Sequence, residues 1–226
     1  MVEKLIKSSN RVKNIGEVFT PQRTVNFMLD QPEIVEKIND LKATFLEPAA
    51  GEGAFLVELL KRKLSVAVKQ SKTTKEMQNN FLLVLSSLYG IELMEDNVEM
   101  LVMNMNSTFQ QTYFKNFKLK DQNKKVLKSA QVIISANMVQ GNTLTRKTNT
   151  GEPIIFSEWK PVGKNKVQRM EYTFDSIIEG GESTGTVQLQ AEQLSLFDDS
   201  YIENDESNEK QYLPVKWEDI YKRLIQ

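Results

Sequence analysis

The chemistry open to this 226-residue chain is limited first by two absences, because the sequence contains no Cys and no His. Their absence excludes disulfides, zinc sites built from thiolate or imidazole, Ser–His and Cys–His catalysis, and a covalent cysteine nucleophile. Any chemistry must therefore rely on carboxylates, amides, hydroxyls, backbone groups, Lys and Arg, or a bound cofactor.

The segment that most strongly suggests a binding site is FLEPAAGEGAFL, residues 45–56. A short strand ending in Glu47 runs into a turn of small residues, and a helix is predicted directly after it. Gly51 and Gly53 allow a ligand to approach the backbone closely, and the N–H groups at the helix start would face that ligand. Taken alone, such a turn is equally explained as a tight strand-to-helix connection.

Two further blocks flank this segment. Upstream, in GEVFTPQRTVNFML (16–29), Thr20 is predicted as the N-cap and Pro21 as the first residue of a helix. Downstream, YGIELMEDNVEM (89–100) contains the end of a second predicted strand, which closes on Glu92. An acid at that position suits the binding of ribose hydroxyls, as in other α/β nucleotide-binding folds.

The elements that must position these residues alternate between strand and helix. The predicted strands cover 42–47, 88–92, 136–140 and part of 152–159. A segment over 166–178 is predicted as a further strand or hairpin arm, and the polar stretch 69–80 is interpreted as an insertion. This order predicts an α/β fold with a mostly parallel sheet flanked by helices.

Charge divides the chain into a basic body and an acidic tail. Residues 1–178 carry 25 Lys and Arg against 19 Asp and Glu, whereas residues 179–226 carry 4 against 11. We therefore expect a folded domain over 1–178, a disordered acidic linker over 179–212, and a short amphipathic helix over 213–226. No run of 18 apolar residues and no signal-peptide pattern is present, which predicts a cytoplasmic protein without membrane contact.

Together, the three blocks resemble those of the N6-adenine DNA methyltransferases of bacterial restriction–modification systems and phages. EPAAGEGAFL is similar to the family's DPACGSGxFL block, with Glu47 for Asp, Ala50 for Cys and Glu52 for Ser. The resemblance implies a Rossmann-like domain that binds S-adenosylmethionine, with Glu92 on the ribose and Asn142, in QGNTL, on the adenine amino group. The implied cofactor residues are Phe19, Thr20, Pro21, Glu47, Pro48, Ala49, Gly51, Gly53, Glu92 and Asn142.

The catalytic block of that family, Asp/Asn-Pro-Pro-aromatic, has no counterpart here, because no two of the six prolines are adjacent. The nearest segment in the corresponding place contains Ser157, Glu158 and Trp159, where Trp159 could stack on a flipped base and Glu158 could accept from an amine. The favoured interpretation is simpler: a strand end with a Trp at an interface.

Two other segments suggest partners. QLSLF, Gln193, Leu194, Ser195, Leu196 and Phe197, resembles the short peptide by which bacterial polymerases and repair proteins bind the replication sliding clamp. The alternatives are a chance match or apolar residues that pin the tail to the body. A lysine-rich segment over 115–128 could follow a DNA backbone, although a solvated helix face with its rings in the core is the more common arrangement.

The sequence therefore predicts an S-adenosylmethionine-binding, DNA adenine-N6 methyltransferase-like protein of a bacterium or phage, which acts on DNA. One alternative is a catalytically inactive protein of this fold that binds the sliding clamp and regulates replication or counters host defence. Another is a subunit that supplies half of a methyltransferase to a partner methyltransferase or specificity subunit. No metal site is predicted.

Overall fold

The computed structural model describes residues 7–15, 18–163, 165–178 and 212–225. The helices of the described parts are α1 Ser9–Ile15, α2 Gln22–Leu29, α3 Pro32–Asn39, α4 Ala54–Gln70, α5 Thr74–Ser86, α6 Glu95–Asn116, α7 Lys124–Asn137 and α8 Phe174–Ile178. Short 3-10 helices cover Leu119–Asp121 and Trp217–Lys222. Most of the acidic linker, including the QLSLF peptide, lies outside the described residues.

A parallel sheet of three strands forms the centre of the fold. Its strands are β1 (Phe45–Glu47), β2 (Leu88–Glu92) and β3 (Met138–Gln140), in the order β1-β2-β3. The predicted α/β class with a parallel sheet is thereby confirmed. β1 is shorter than predicted, because the side chain of Asp40 accepts a hydrogen bond from the Lys42 N–H (2.9 Å) and folds that stretch into a turn.

The helices α4 to α7 supply the main hydrophobic core. Apolar positions at helical spacing bury Leu56, Leu60 and Leu64 on α4, and the rings of Phe81, Phe109, Tyr113 and Phe117 pack edge-on or stacked against one another. The polar stretch 69–80, interpreted as an insertion, contains the end of α4, the connection 71–73 and the first half of α5. There Thr73 accepts from the Glu76 N–H (3.1 Å) and Glu76 accepts in turn from the Lys72 N–H (2.8 Å), which starts the helix among polar residues.

A second, antiparallel sheet contains β4 (Ile155–Val162), β5 (Lys166–Thr173) and β6 (Val215–Lys216). The expected fourth strand therefore belongs to a hairpin and is not part of the parallel sheet. Its connection to β5 is only three residues long, and Gly163 adopts a φ of +64° there, so the chain reverses at once instead of crossing over through a helix.

In the C-terminal segment, where a short amphipathic helix was expected, β6 is followed by the 3-10 helix Trp217–Lys222. Trp217 and Ile220 are buried in the main core, while Leu224 is 46% exposed. The Ser129 hydroxyl of α7 donates to the Glu218 carbonyl (2.9 Å), which helps to hold the segment against that helix.

None of the helices in the described ranges has the length and apolar character that a membrane crossing requires.

Lys63 of α4 is fully buried and holds the loop that leads into β1. Its ammonium donates to the carbonyl oxygens of Asp40 (3.0 Å) and Ala43 (2.6 Å) and lies 5.1 Å from the centroid of the Phe45 ring. Burial lowers the pKa of Lys63 to about 8, against the opposing charge of Asp40.

This shift predicts a pH-dependent stability. Between about pH 8 and pH 10.5 the folded chain has released the Lys63 proton that the unfolded chain still binds, so stability rises with pH over that window. We expect the free energy of unfolding, measured by urea denaturation, to be about 2 kcal/mol larger at pH 9.5 than at pH 7.5. Lys63→Met should abolish this rise, and an unchanged rise in the variant would assign the pH dependence to another group.

Candidate functional site

A cleft of about 510 Å³ lies beside the turn that joins β1 to α4. Three parts of the chain form its walls: the segment before α2, the turn with the first residues of α4, and the middle of α6. The lining residues are Val18, Phe19, Thr20, Gln22, Glu47, Ala49, Ala50, Gly51, Glu52, Gly53, Ala54, Phe55, Val57, Asn104, Ser107, Thr108 and Gln111. Six of the ten residues predicted to bind a cofactor are among them.

The turn between β1 and α4 depends on its two glycines. Gly51 has a φ of +54° and Gly53 a φ of +95°, values that favour glycine. A Cβ on Gly53 would lie 2.6 Å from Cδ1 of Leu101, whereas a Cβ on Gly51 would meet nothing within 4 Å. Gly53 is therefore required by the packing of α4 against α6, and Gly51 leaves the backbone open to the cleft.

Glu92 ends β2, as predicted, and its carboxylate is hydrogen-bonded within the protein. Its carboxylate is buried and accepts from the Gly51 N–H on Oε2 (2.8 Å) and from the Met94 N–H on Oε1 (2.9 Å). The Asn97 amide donates to Oε1 as well (3.2 Å). Glu92 is absent from the lining of the cleft, and it ties the glycine turn after β1 to the start of α6 after β2.

An ion-pair cluster extends this tie to the N-terminal part of the chain. The Lys7 ammonium lies 2.8 Å from Glu52 and 3.0 Å from Asp96, and it donates to the side-chain oxygen of Asn97 (2.5 Å). Arg11 donates to both carboxylate oxygens of Asp96. Hydrogen bonds from Arg11 and Lys7 hold the pKa of Asp96 far below its usual range.

Two carboxylates line the cleft: Glu52, which pairs with Lys7, and Glu47. Glu47 ends β1, it is partly buried, and its Oε1 accepts from the Ala49 N–H (3.3 Å). Burial raises the pKa of Glu47, against the opposing effect of that backbone hydrogen bond. A carboxylate in this position has the charge to hold a cationic group of a ligand.

The third wall of the cleft was not predicted. Asn104, Ser107, Thr108 and Gln111 recur at spacings of three and four, which places their side chains on one face of α6. That polar stripe is visible in the sequence. Of the three methionines of α6, only Met105 is fully buried, and Met103 is 63% exposed.

Three other predicted cofactor residues lie off the cleft. Pro21 is the N-cap of α2, so that helix begins one residue later than predicted and Thr20 does not cap it through its side chain. The Pro48 carbonyl accepts from the Thr143 hydroxyl. Asn142 lies in a turn in which its amide oxygen already accepts from the N–H groups of Leu144 (2.9 Å) and Thr145 (3.3 Å).

The three candidate catalytic residues on β4 lie away from this cleft and point to opposite faces of the strand. Ser157 is buried and accepts from Nε of Arg169 (2.9 Å), and Trp159 is 5% exposed within the main core. Glu158 is exposed and lines a separate apolar cavity. Because its ring is covered, Trp159 does not present a face to a base in this structure.

The lysine-rich segment lies at the far end of α6 from the glycine turn. α6 has 22 residues and is therefore about 33 Å long. Two of the lysines contact the C-terminal segment: Lys125 lies 3.6 Å from Asp219, and Lys128 lies over the Tyr221 ring. Contact of this segment with DNA remains a prediction; its first lysine, Lys115, lies about one helical turn beyond Gln111 of the cleft wall.

The comparisons with known proteins gave one match. A family model described as N-6 DNA Methylase matches residues 2–174, which include the cleft and both strands that flank it. Neither the search of curated proteins nor the search of solved structures gave a match.

The contribution of the Glu92 hydrogen bonds to stability can be tested by replacing Glu92 with Gln. Glu92→Gln keeps the shape but leaves one acceptor oxygen where two are used, so one of the N–H groups of Gly51 and Met94 loses its partner. We expect a loss of about 1–3 kcal/mol in the free energy of unfolding, measured by urea denaturation. The control is Glu152→Gln on an exposed turn, which should change stability by less than about 0.5 kcal/mol. Equal stability of the two variants would contradict the assigned role.

Proposed function

Because the chain belongs to the N-6 DNA methylase family, we propose that it binds S-adenosylmethionine in the cleft beside the Gly51–Gly53 turn and serves in the N6-methylation of adenine in DNA. The observation that carries this proposal is the combination of an uncapped helix N-terminus and an acidic side chain in one cleft. Both groups complement the charged amino-acid end of that cofactor.

The N-terminus of α4 supplies the positive end of the site. α4 has 17 residues, its N-cap is Gly53, and no side chain accepts from its first N–H groups. Ala54 and Phe55, the first two residues of the helix, line the cleft. Unpaired N–H groups and the helix dipole favour an anion at this point, and the methionyl carboxylate of the cofactor is one.

Glu47 supplies the complementary negative charge. Glu47 precedes the turn and α4 follows it, and both line the same cleft. A carboxylate there would pair with the ammonium group of the cofactor, so that a zwitterion is held at both of its charges. The open position at Gly51 leaves space for the ligand beside the backbone.

The remaining walls suit the adenosine half of the cofactor. Phe19 and Phe55 provide ring surface, and Asn104, Ser107 and Gln111 provide amide and hydroxyl groups. A cleft of about 510 Å³ is within the usual size of sites for molecules of this kind. We propose the α6 stripe for this half because its side chains line the cleft, whereas Glu92 and Asn142 are absent from the lining.

When bound, the cofactor supplies an electrophilic methyl group. The contribution of this chain is to hold and align it, because close alignment of two reactants can account for a large part of a rate enhancement. The described residues of β4 do not offer a base-stacking ring at the cleft. We therefore propose that the groups that hold the target adenine come from a partner methyltransferase or specificity subunit, and that this chain alone binds cofactor without methylating DNA.

Cofactor binding is tested by calorimetric titration of the full chain with S-adenosylmethionine. We expect saturable binding, at least tenfold weaker binding by Glu47→Gln, and no measurable binding by Gly51→Asp. The Asp variant adds a carboxylate in open space at a φ that Asp tolerates, so it should fold while repelling the ligand carboxylate. Affinity should also fall as the pH is lowered through the raised pKa of Glu47, since protonation removes the charge that holds the ammonium.

Glu152→Gln serves as the control and should bind as the wild type does. A folded wild-type chain that does not bind would overturn the cofactor site. Transfer of a radioactive methyl group to DNA by the isolated chain would keep the cofactor site and contradict the need for a partner.

Binding to the sliding clamp remains a separate proposal, supported only by the sequence of Gln193–Phe197. Replacing Leu196 and Phe197 by Ala should reduce the affinity for a purified bacterial clamp at least tenfold, measured by surface plasmon resonance, because both apolar anchors are removed. S-adenosylmethionine affinity should not change in this variant. Equal clamp affinity of wild type and variant would reject the proposal.

A further inference from the structure

β1 is an edge strand, with β2 as its only neighbour in the described sheet. The Phe45 N–H donates to the Ser87 carbonyl (2.9 Å), so the backbone groups of Phe45 and Glu47 face β2. Those of Leu46, which lies between them, consequently point away from the sheet. The Leu46 side chain is 42% exposed. This edge therefore offers both hydrogen-bonding groups and apolar surface.

The sheet face opposite α4 and α6 is covered over β2 and β3 but not over β1. Phe156 and Ile154, from β4 and the residue before it, form a small apolar cluster with Phe174 and Ile91, and Tyr89 and Val139 pack against it. Beside β1 this layer ends, and a cavity of about 550 Å³ remains. We call it the β1 trench; its lining is Thr44, Phe45, Leu46, Tyr89, Phe156, Glu158, Tyr172, Phe174, Ser176 and Ile177.

The β1 trench continues into exposed apolar surface. Ile177 and Ile178 of α8 are 50% and 48% exposed, and Leu46 faces the solvent from the other side. An open sheet edge joined to apolar surface is a template for strand addition, and proteins usually cover or charge such edges. The described surface here does neither.

The charge of the trench indicates what kind of segment would fit. Glu158 lines it, and within the described ranges no Lys or Arg forms an ion pair with this carboxylate. Tyr89 and Tyr172 line the trench as well, and the negative charge of Glu158 adds to burial in raising the pKa of both. A segment with a cationic side chain opposite Glu158 would be favoured, and an acidic one would be repelled.

This charge disfavours two occupants from the chain itself. Residues 179–211 leave α8 at the trench, but they carry nine Asp and Glu against one Lys. A second copy that pairs about a two-fold axis would bring both Glu158 carboxylates into one interface, because such an interface uses the same surface twice. Both arrangements bring like charges together.

We propose that the β1 edge and the β1 trench accept a β-strand of a different polypeptide. That strand alternates apolar side chains, which enter the trench, with polar ones, and it carries Lys or Arg opposite Glu158. It adds to the parallel sheet beside β1, next to the strand that ends in Glu47. The proposal does not depend on cofactor binding, and it gives a surface for the partner subunit proposed above.

The test uses the full-length, ¹⁵N-labelled chain, titrated with the peptide Lys-Val-Lys-Val-Lys-Val and followed by amide chemical shifts. We expect shifts centred on Leu46 and Tyr89. Lys-Lys-Lys-Val-Val-Val, of the same composition without alternation, and Glu-Val-Glu-Val-Glu-Val should each bind at least tenfold more weakly. Leu46→Lys should weaken binding of the alternating basic peptide at least tenfold, whereas Leu119→Lys, at another exposed leucine, should not.

A charge exchange gives the sharpest result, because Glu158→Lys should reverse the preference in favour of the acidic peptide. The proposal is overturned if the shifts map elsewhere or if the non-alternating peptide binds equally well. Val187→Ser and Leu189→Ser together remove two apolar side chains from the chain's own segment 179–211. If the alternating basic peptide binds only to this variant, that segment is the occupant and the proposal is overturned. It is overturned in favour of a second copy if light scattering shows a wild-type dimer that Leu46→Lys separates.

Discussion

The buried carboxylate of Glu92 is the interaction on which the rest of the site depends. By accepting from N–H groups on two separate loops, it fixes the distance between the strand end that carries Glu47 and the helix start that carries Asp96. Lys7 and Arg11 then dock on that helix start, so the N-terminal part of the chain is held by the same tie. A binding cleft whose walls come from three separate parts of the chain needs such a fixed point, because no single wall is held in place by its own helix alone.

The parallel sheet is consistent with the proposal that this chain binds cofactor and that a partner binds the base. In the described residues, three strands place the glycine turn, the uncapped helix and an acidic side chain at one end of the sheet. β4, the next strand along the chain, does not join the parallel sheet. It pairs with β5 and packs across the face of that sheet. The hairpin covers Ile91 and Tyr89, but it leaves β1 without a second neighbour. The cleft proposed to bind cofactor and the open sheet edge thus both belong to β1.

The secondary-structure prediction was most accurate where the signals lie in adjacent residues. The strand, glycine turn and helix over 45–56 were predicted because each step is set by adjacent residues, and the end of β2 was predicted for the same reason. The sheet membership of β4 depends on which strand it pairs with, and alternation alone does not specify a partner. The hydrogen bond from the Gly51 N–H to Glu92 was not predicted, because the two residues are 41 positions apart in the sequence. Likewise, the polar face of α6 became recognisable only once its neighbours showed that Asn104 and Gln111 border a cleft.

The docked C-terminal segment has a consequence for the undescribed stretch before it. Ile178 ends α8, and Tyr212 begins a segment whose Trp217 is buried in the main core, so the stretch between them is tethered at both ends. Gln193 lies 15 residues from the first anchor, and Phe197 lies 15 residues from the second. Fifteen residues span at most about 50 Å, so a protein captured by this peptide could not move farther than that from the body. This short tether would keep the local concentration of a sliding clamp bound to the peptide in the millimolar range.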